Sequence, residues 1–177
     1  MDLIKIDNLN GTIKSHNQFK RSQLWTDISV ACECTSAEAS EFAKTHCNML
    51  SFYAILRAVK KYSGHYREFL KYCLDNKYCD KKGYISADKD VILDSLGIKD
   101  YTLVKFRDFK FVENPESLNA DKFYQMKIKA NTEGFHFMAC YIYMNELYLS
   151  DSSSRGVGVK ALDFINSKNF VWLMEVV

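Results

Sequence analysis

The chain changes texture at Gly97, and that change limits what it can fold into. Before this glycine, apolar residues recur every three or four positions. After it, they alternate or run together in short aromatic stretches. A three-to-four spacing puts one apolar stripe on a helix, and alternation puts one apolar face on a strand. Helices followed by strands predict an α+β protein with an antiparallel sheet. The strand–helix alternation of a doubly wound fold is absent.

In the first half, the clearest helix runs from His46 to Tyr62. Met49, Phe52, Leu56 and Val59 form its stripe, with Ile55 beside them. Arg57, Lys60 and Lys61 suit its last turn, where cations meet the negative end of the helix dipole. Ser63-Gly64 is expected to end it. Thr45 is the expected cap, which would put Cys47 at the second helical position. Shorter helices are expected over 35–44, over 66–74 and from Ser86 to Leu96. Residues 1–45 are otherwise weakly patterned: Leu3, Ile4 and Ile6 suggest a short strand, and 7–20 reads as a polar loop.

In the second half, strands are expected over 101–106, 123–129, 135–144, 147–149 and 170–177. If Asn145-Glu146 is a two-residue turn, Met144 pairs with Leu147. Alternation then puts His136, Met138, Cys140 and Ile142 on one face.

A chain of 177 residues fits one domain, 1–177, with a sizeable core. Its net charge of +2 comes from mixed lysines and acids without a dense basic run, which argues against nucleic acid as a partner. No stretch approaches the roughly 20 apolar residues of a membrane span, so no membrane partner is expected. Charges at Asp2, Lys5 and Asp7 interrupt the apolar run a signal peptide needs. The expectation is a protein soluble and cytoplasmic as synthesised, with release by a route other than a signal left open.

Six cysteines, none in a Cys-x-x-Cys pair, suit a reducing compartment. A zinc site through Cys32, Cys34, Cys73 and Cys79 would match no common ligand spacing. No metal motif and no glycine-rich phosphate loop is present, so no cofactor and no metal is expected.

Three residues stand where chemistry could use them. Cys47 opens the strongest helix, and a helix N-terminus favours a thiolate. His136 begins a strand in Gly134-Phe135-His136-Phe137-Met138-Ala139. Asp151 ends the next strand in Tyr148-Leu149-Ser150-Asp151-Ser152. Nucleophile, base and orienting acid are the parts of a thiol hydrolase. With the turn at Asn145-Glu146, Cys140 lies opposite Asp151 and His136 opposite Arg155. Asp151 is then four residues out of step with His136, and a bend over 150–154 must close the gap.

These motifs resemble those of papain-like cysteine peptidases, especially the bacteriocin-leader-processing branch and its stand-alone relatives. The resemblance covers roughly residues 40–177 in layout and is specific at three places: Thr45-His46-Cys47-Asn48-Met49-Leu50-Ser51, the strand around His136, and the strand end at Asp151. It implies a papain-like fold, with N-terminal helices and a nucleophile-bearing central helix packed on a C-terminal antiparallel sheet. It implies a Cys47–His136–Asp151 triad that hydrolyses an amide bond.

The substrate would be a protein or peptide, or the peptide of bacterial cell wall, as for a phage lysin. The family's glycine after the nucleophile is Asn48 here, and its proline after the acid is Ser152. The family's oxyanion-binding glutamine, about six residues before the cysteine, is replaced by Glu41. A carboxylate there would oppose catalysis. The backbone N–H of Cys47 could still donate, with the Thr45 hydroxyl or His46 as a second group. The alternatives are a catalytically inactive papain-like binding module, or an acyltransferase using the same triad.

Overall fold

The computed structural model describes residues 2–130, 134–153 and 155–176. Ser154 and Val177, which belong to the segments 150–154 and 170–177 named above, lie outside them. The fold is α+β: seven α-helices among the described residues and a six-stranded antiparallel sheet.

The N-terminal region corrects the sequence reading. Leu3–Ser15 is helix α1, not a strand and loop. Ile6, Leu9 and Ile13 make a stripe at helical spacing, and all three are buried. Asp2 caps α1 by accepting the Ile4 N–H at 2.9 Å. Gly11 and the asparagines weaken the local preference for helix, and burial against the next layer overrides it. Gln23–Cys32 forms α2, which the sequence reading did not identify. Ser36–Ala43 is α3, started by a reciprocal cap between Thr35 and Glu38.

Cys47–Ala58 is α4. It is shorter than the 46–62 expected, and its cap residue is His46, so Cys47 is the first helical residue. It ends at Val59, and Lys60 then turns the chain through a left-handed conformation at φ 59°. Tyr66–Asp75 is α5 and Lys89–Ser95 is α6.

Lys105–Phe106 is β1, much shorter than the 101–106 predicted. Lys110–Glu113 is a single helical turn, α7. The remaining strands are β2 (Phe123–Lys129), β3 (Phe135–Tyr143), β4 (Glu146–Ser150), β5 (Val157–Lys160) and β6 (Phe170–Glu175). Their order across the sheet is β1-β6-β2-β3-β4-β5.

One core lies between the helices and the sheet. Helix α4 is its centre, packing on α1, α5, β2 and β3. Phe52, Ile55, Leu56, Tyr66 and Phe69 are fully enclosed there. A second core covers the other sheet face, with Tyr124, Met126, Met138, Cys140 and Leu149 under Val112, Leu118 and Ile165. Burial on both faces explains why β3 reads as a nearly continuous apolar run. The sheet therefore holds β3 and β4 rigidly where β3 begins and β4 ends, beside the start of α4.

Candidate active site

The β3–β4 hairpin turns over Met144 and Asn145, not Asn145 and Glu146. Both turn residues have positive φ, 49° and 61°. That is the pattern of a tight turn whose twist matches the flanking strands. Tyr143 pairs with Glu146, and Ala139 with Ser150. Cys140 thus faces Leu149 instead of Asp151. Continuing the register by one residue sets Asp151 across from Met138. Asp151 is then diagonal to His136, and the four-residue gap is halved by the turn alone.

The diagonal brings the side chains together. His136 Nε2 lies 2.7 Å from Asp151 Oδ1. Asp151 is sealed from solvent, and every partner around it donates. The Ser153 N–H approaches Oδ1 at 2.8 Å, while the Ser153 hydroxyl and Arg155 Nη1 approach Oδ2 at 2.7 and 3.0 Å. A carboxylate surrounded by donors holds its charge even when buried. Burial opposes that charge, but the His136 and Ser153 bonds outweigh it and hold the Asp151 carboxyl down to about 2.

With Nε2 committed to Asp151, the other ring nitrogen of His136 is left for Cys47. Cys47 bears on the charge of the ring, favouring its protonated form. Burial disfavours the charged imidazole, but Asp151 and Cys47 together reverse that and push His136 up to about 9. Cys47 and His136 line one cavity of about 580 Å³ with Thr45, Asn48, Tyr84, Phe135 and Arg155. A thiol, an imidazole held in one orientation and a buried carboxylate can carry out nucleophilic acyl transfer there.

The start of α4 is fixed by residues whose positions the sequence did not reveal. His46 is fully buried. Its Nε2 donates to the Lys81 carbonyl at 3.0 Å, so its Nδ1 accepts from the Tyr66 hydroxyl at 2.7 Å. Burial drops its pKa to about 4, so the ring is neutral. His46 is thus a buried anchor and not an oxyanion group. The Thr45 hydroxyl is close to the Lys82 carbonyl at 2.6 Å and the Phe42 carbonyl at 2.9 Å. Its single hydrogen is spent on these acceptors, which removes Thr45 as an oxyanion donor. Gly83 sits at φ 74° against the His46 ring, where a Cβ would come within 2.9 Å. These contacts press the segment carrying Tyr84 and Ile85 over the cavity.

Glu41 is exposed, and its carboxylate pairs with Lys44 at 2.7 Å. It is not among the residues that line the cavity with Cys47. Buried Gln18 has a different role. Its Nε2 donates to the Ala43 carbonyl at 2.9 Å, its Oε1 accepts from the Ser152 hydroxyl at 2.9 Å, and its N–H donates to the Ser152 carbonyl at 3.0 Å. It ties the segment before Cys47 to the residue after Asp151. A glutamine 29 positions before the cysteine gives no local signal of this bridge.

His65 stands at the cap position of α5. His16 ends α1 and pairs with buried Asp27 at 3.2 Å, not in a loop. No described helix is long and apolar enough to cross a membrane. Comparison with protein-family models, curated proteins and solved structures finds no match to this chain.

Proposed function

We propose that this chain is a cysteine peptidase of papain-like type that hydrolyses an amide bond in a protein or peptide. The observation that carries the reading is that Cys47 and His136 line one cavity and that His136 is bonded at 2.7 Å to the buried Asp151 carboxylate behind it. In this reading the Cys47 sulfur attacks the scissile carbonyl carbon, and the carbonyl electron pair moves onto oxygen. Collapse of that oxyanion breaks the C–N bond, and His136 gives its proton to the departing amine. Water, deprotonated by His136, then cleaves the thioester. Asp151 keeps the ring oriented and favours its charged form.

Glu41 was the feature that favoured an inactive binding module. Its exposed pairing with Lys44 takes that support away. Cell-wall peptide remains a substrate to be tested against ordinary peptide.

The test is alkylation by iodoacetamide at about pH 6, where an activated thiolate reacts and an ordinary thiol hardly does. It is combined with hydrolysis of denatured casein and of purified cell wall. Rapid alkylation at Cys47 and cleavage of either material, both lost in Cys47→Ala, are expected. Slow alkylation with no cleavage overturns the proposal. Trapping of the acyl group by an added amine, in place of release to water, would reassign the chemistry to acyl transfer.

A further inference from the structure

The cavity needs a second donor for the oxyanion beside the Cys47 backbone N–H, and neither the side chains that sequence pointed to, Thr45 and His46, nor the buried Gln18 supplies it. The Thr45 hydrogen and the Gln18 amide hydrogens are taken by backbone carbonyls. His46 is turned into the core. The first residue of a helix has no intrahelical partner for its N–H, so Cys47 can give one donor.

Asn48 lines the same cavity. Its orientation is fixed by its neighbours. Lys89 Nζ approaches Asn48 Oδ1 at 3.2 Å, and an ammonium can only donate. Gln125 Nε2 lies 2.6 Å from the Ser51 hydroxyl oxygen and 3.0 Å from the Asn48 backbone carbonyl, which identifies that Gln125 atom as nitrogen, and its longest contact, at 3.2 Å, is with Asn48 Oδ1. Gln125 is fully buried, so this clamp belongs to the rigid interface of α4 and β2. The Lys89 ammonium requires oxygen at that end of the Asn48 amide, Gln125 Nε2 beside it is compatible with the same assignment, and the opposite end is therefore Nδ2. Among the described residues Nδ2 has no hydrogen-bond partner, and it is not sealed from solvent.

We propose that Asn48 Nδ2 is the second oxyanion donor, with Lys89 and Gln125 as the residues that position it. The proposal rests on the peptidase reading above. The arrangement has the properties such a donor needs: it is neutral, held before substrate arrives, and has both hydrogens available. The Lys89 ammonium on the amide oxygen also draws electron density from the nitrogen and strengthens its hydrogens as donors.

Two probes of the same sulfur separate this role from general activation. Iodoacetamide alkylates Cys47 by displacing iodide from a saturated carbon, so no oxyanion forms. p-Nitrophenyl acetate acylates it through a tetrahedral oxyanion: an S–C bond forms, the C–O bond to the leaving group breaks, and p-nitrophenolate departs. Asn48→Ala removes the donor. Asn48→Asp removes it while leaving an oxygen for Lys89 and Gln125, so the fold is retained even where the alanine variant is unstable.

The expected result is acylation slowed about 100-fold in both variants with alkylation nearly unchanged. Acylation that falls only in step with alkylation would overturn the Asn48 proposal while leaving the peptidase reading in place. A wild-type Cys47 that reacts with neither probe faster than a free thiol would overturn both.

Discussion

Asp151 lies diagonally across the β3–β4 hairpin from His136, and that offset lets its carboxylate meet the ring at 2.7 Å. Both residues sit at strand ends on a sheet packed on two faces. Their approach is therefore set by backbone register and does not depend on a flexible loop closing.

The cysteine itself is the first test. Cys47 is buried but stands outside the two main core clusters. Cys47→Ala should abolish casein hydrolysis and alkylation while changing the unfolding midpoint little. Cys73 and Cys140 are fully buried within those cores. Their alanine variants should lose on the order of 1 kcal/mol of stability and keep their rate. Full activity in Cys47→Ala, or rate loss without stability loss in the other two, would contradict these assignments.

The pH dependence follows from the shifted ring. His136 is pushed up to about 9, so the imidazolium persists through neutral pH and disappears as pH rises past that value. The proton that His136 gives to the departing amine should be lost on the same limb, and kcat/KM should fall above about pH 9. Stability follows the same sign. The contribution of His136 is complete below its ordinary value of 6.5 and is lost as pH rises through about 9. Asp151 is depressed, so its contribution is complete above 3.8 and is lost as pH falls through about 2. In Asp151→Ala the alkaline limb of the rate profile should move to lower pH. A limb that stays in place would show that Asp151 does not set the charge on the ring.

Gln18 provides a test at a distance from the cavity. Gln18→Ala leaves the Ala43 carbonyl and the Ser152 hydroxyl without their partner in a buried site. The expected cost is about 1–3 kcal/mol of stability. Because the bridge joins the approach to Cys47 with the strand end at Asp151, kcat should fall while alkylation at high pH, where no imidazole help is needed, stays normal. A stability loss with an unchanged kcat would reduce Gln18 to a packing role.

The sequence was most informative where one local pattern decided the structure. The α4 stripe, the alternation of β2 and the texture change at Gly97 each lead to the element observed. Cys47, His136 and Asp151 could be singled out as candidates because each sits at an element end. The α1 helix was hidden because Gly11 and its asparagines are poor helix formers, and its stability comes from packing Leu9 and Ile13 against α4. The hairpin register was missed because Met144 is an unusual residue at positive φ, so no Asn-Gly signal marked the turn. Gln18, Gln125 and Lys89 act across 25 to 134 positions of chain, and no local rule relates them to Cys47 or its neighbours.

The last prediction concerns the charge on Asp151. In Asp151→Asn the remaining oxygen can still accept from His136 Nε2, so the ring keeps its orientation. In papain-like chemistry an asparagine can serve this role, because the thiolate–imidazolium pair exists before substrate binds. A rate loss on the order of tenfold is expected, far below the roughly 10⁴-fold seen when a serine triad loses its aspartate. The surroundings add a second effect. The amide nitrogen would replace Oδ2, which here accepts from the Ser153 hydroxyl and Arg155 Nη1. Ser153 can rotate its hydrogen away, but the guanidinium cannot accept, so the contact turns repulsive. Asp151→Asn should therefore lose stability as well as rate, and Asp151→Asn with Arg155→Met should recover part of the stability but none of the rate. Asp151→Ala should cost more rate than Asp151→Asn, because nothing then holds the ring. Thermal melts and kcat/KM on one substrate decide the matter. Equal, full activity in all three variants would mean that a group other than Asp151 orients His136.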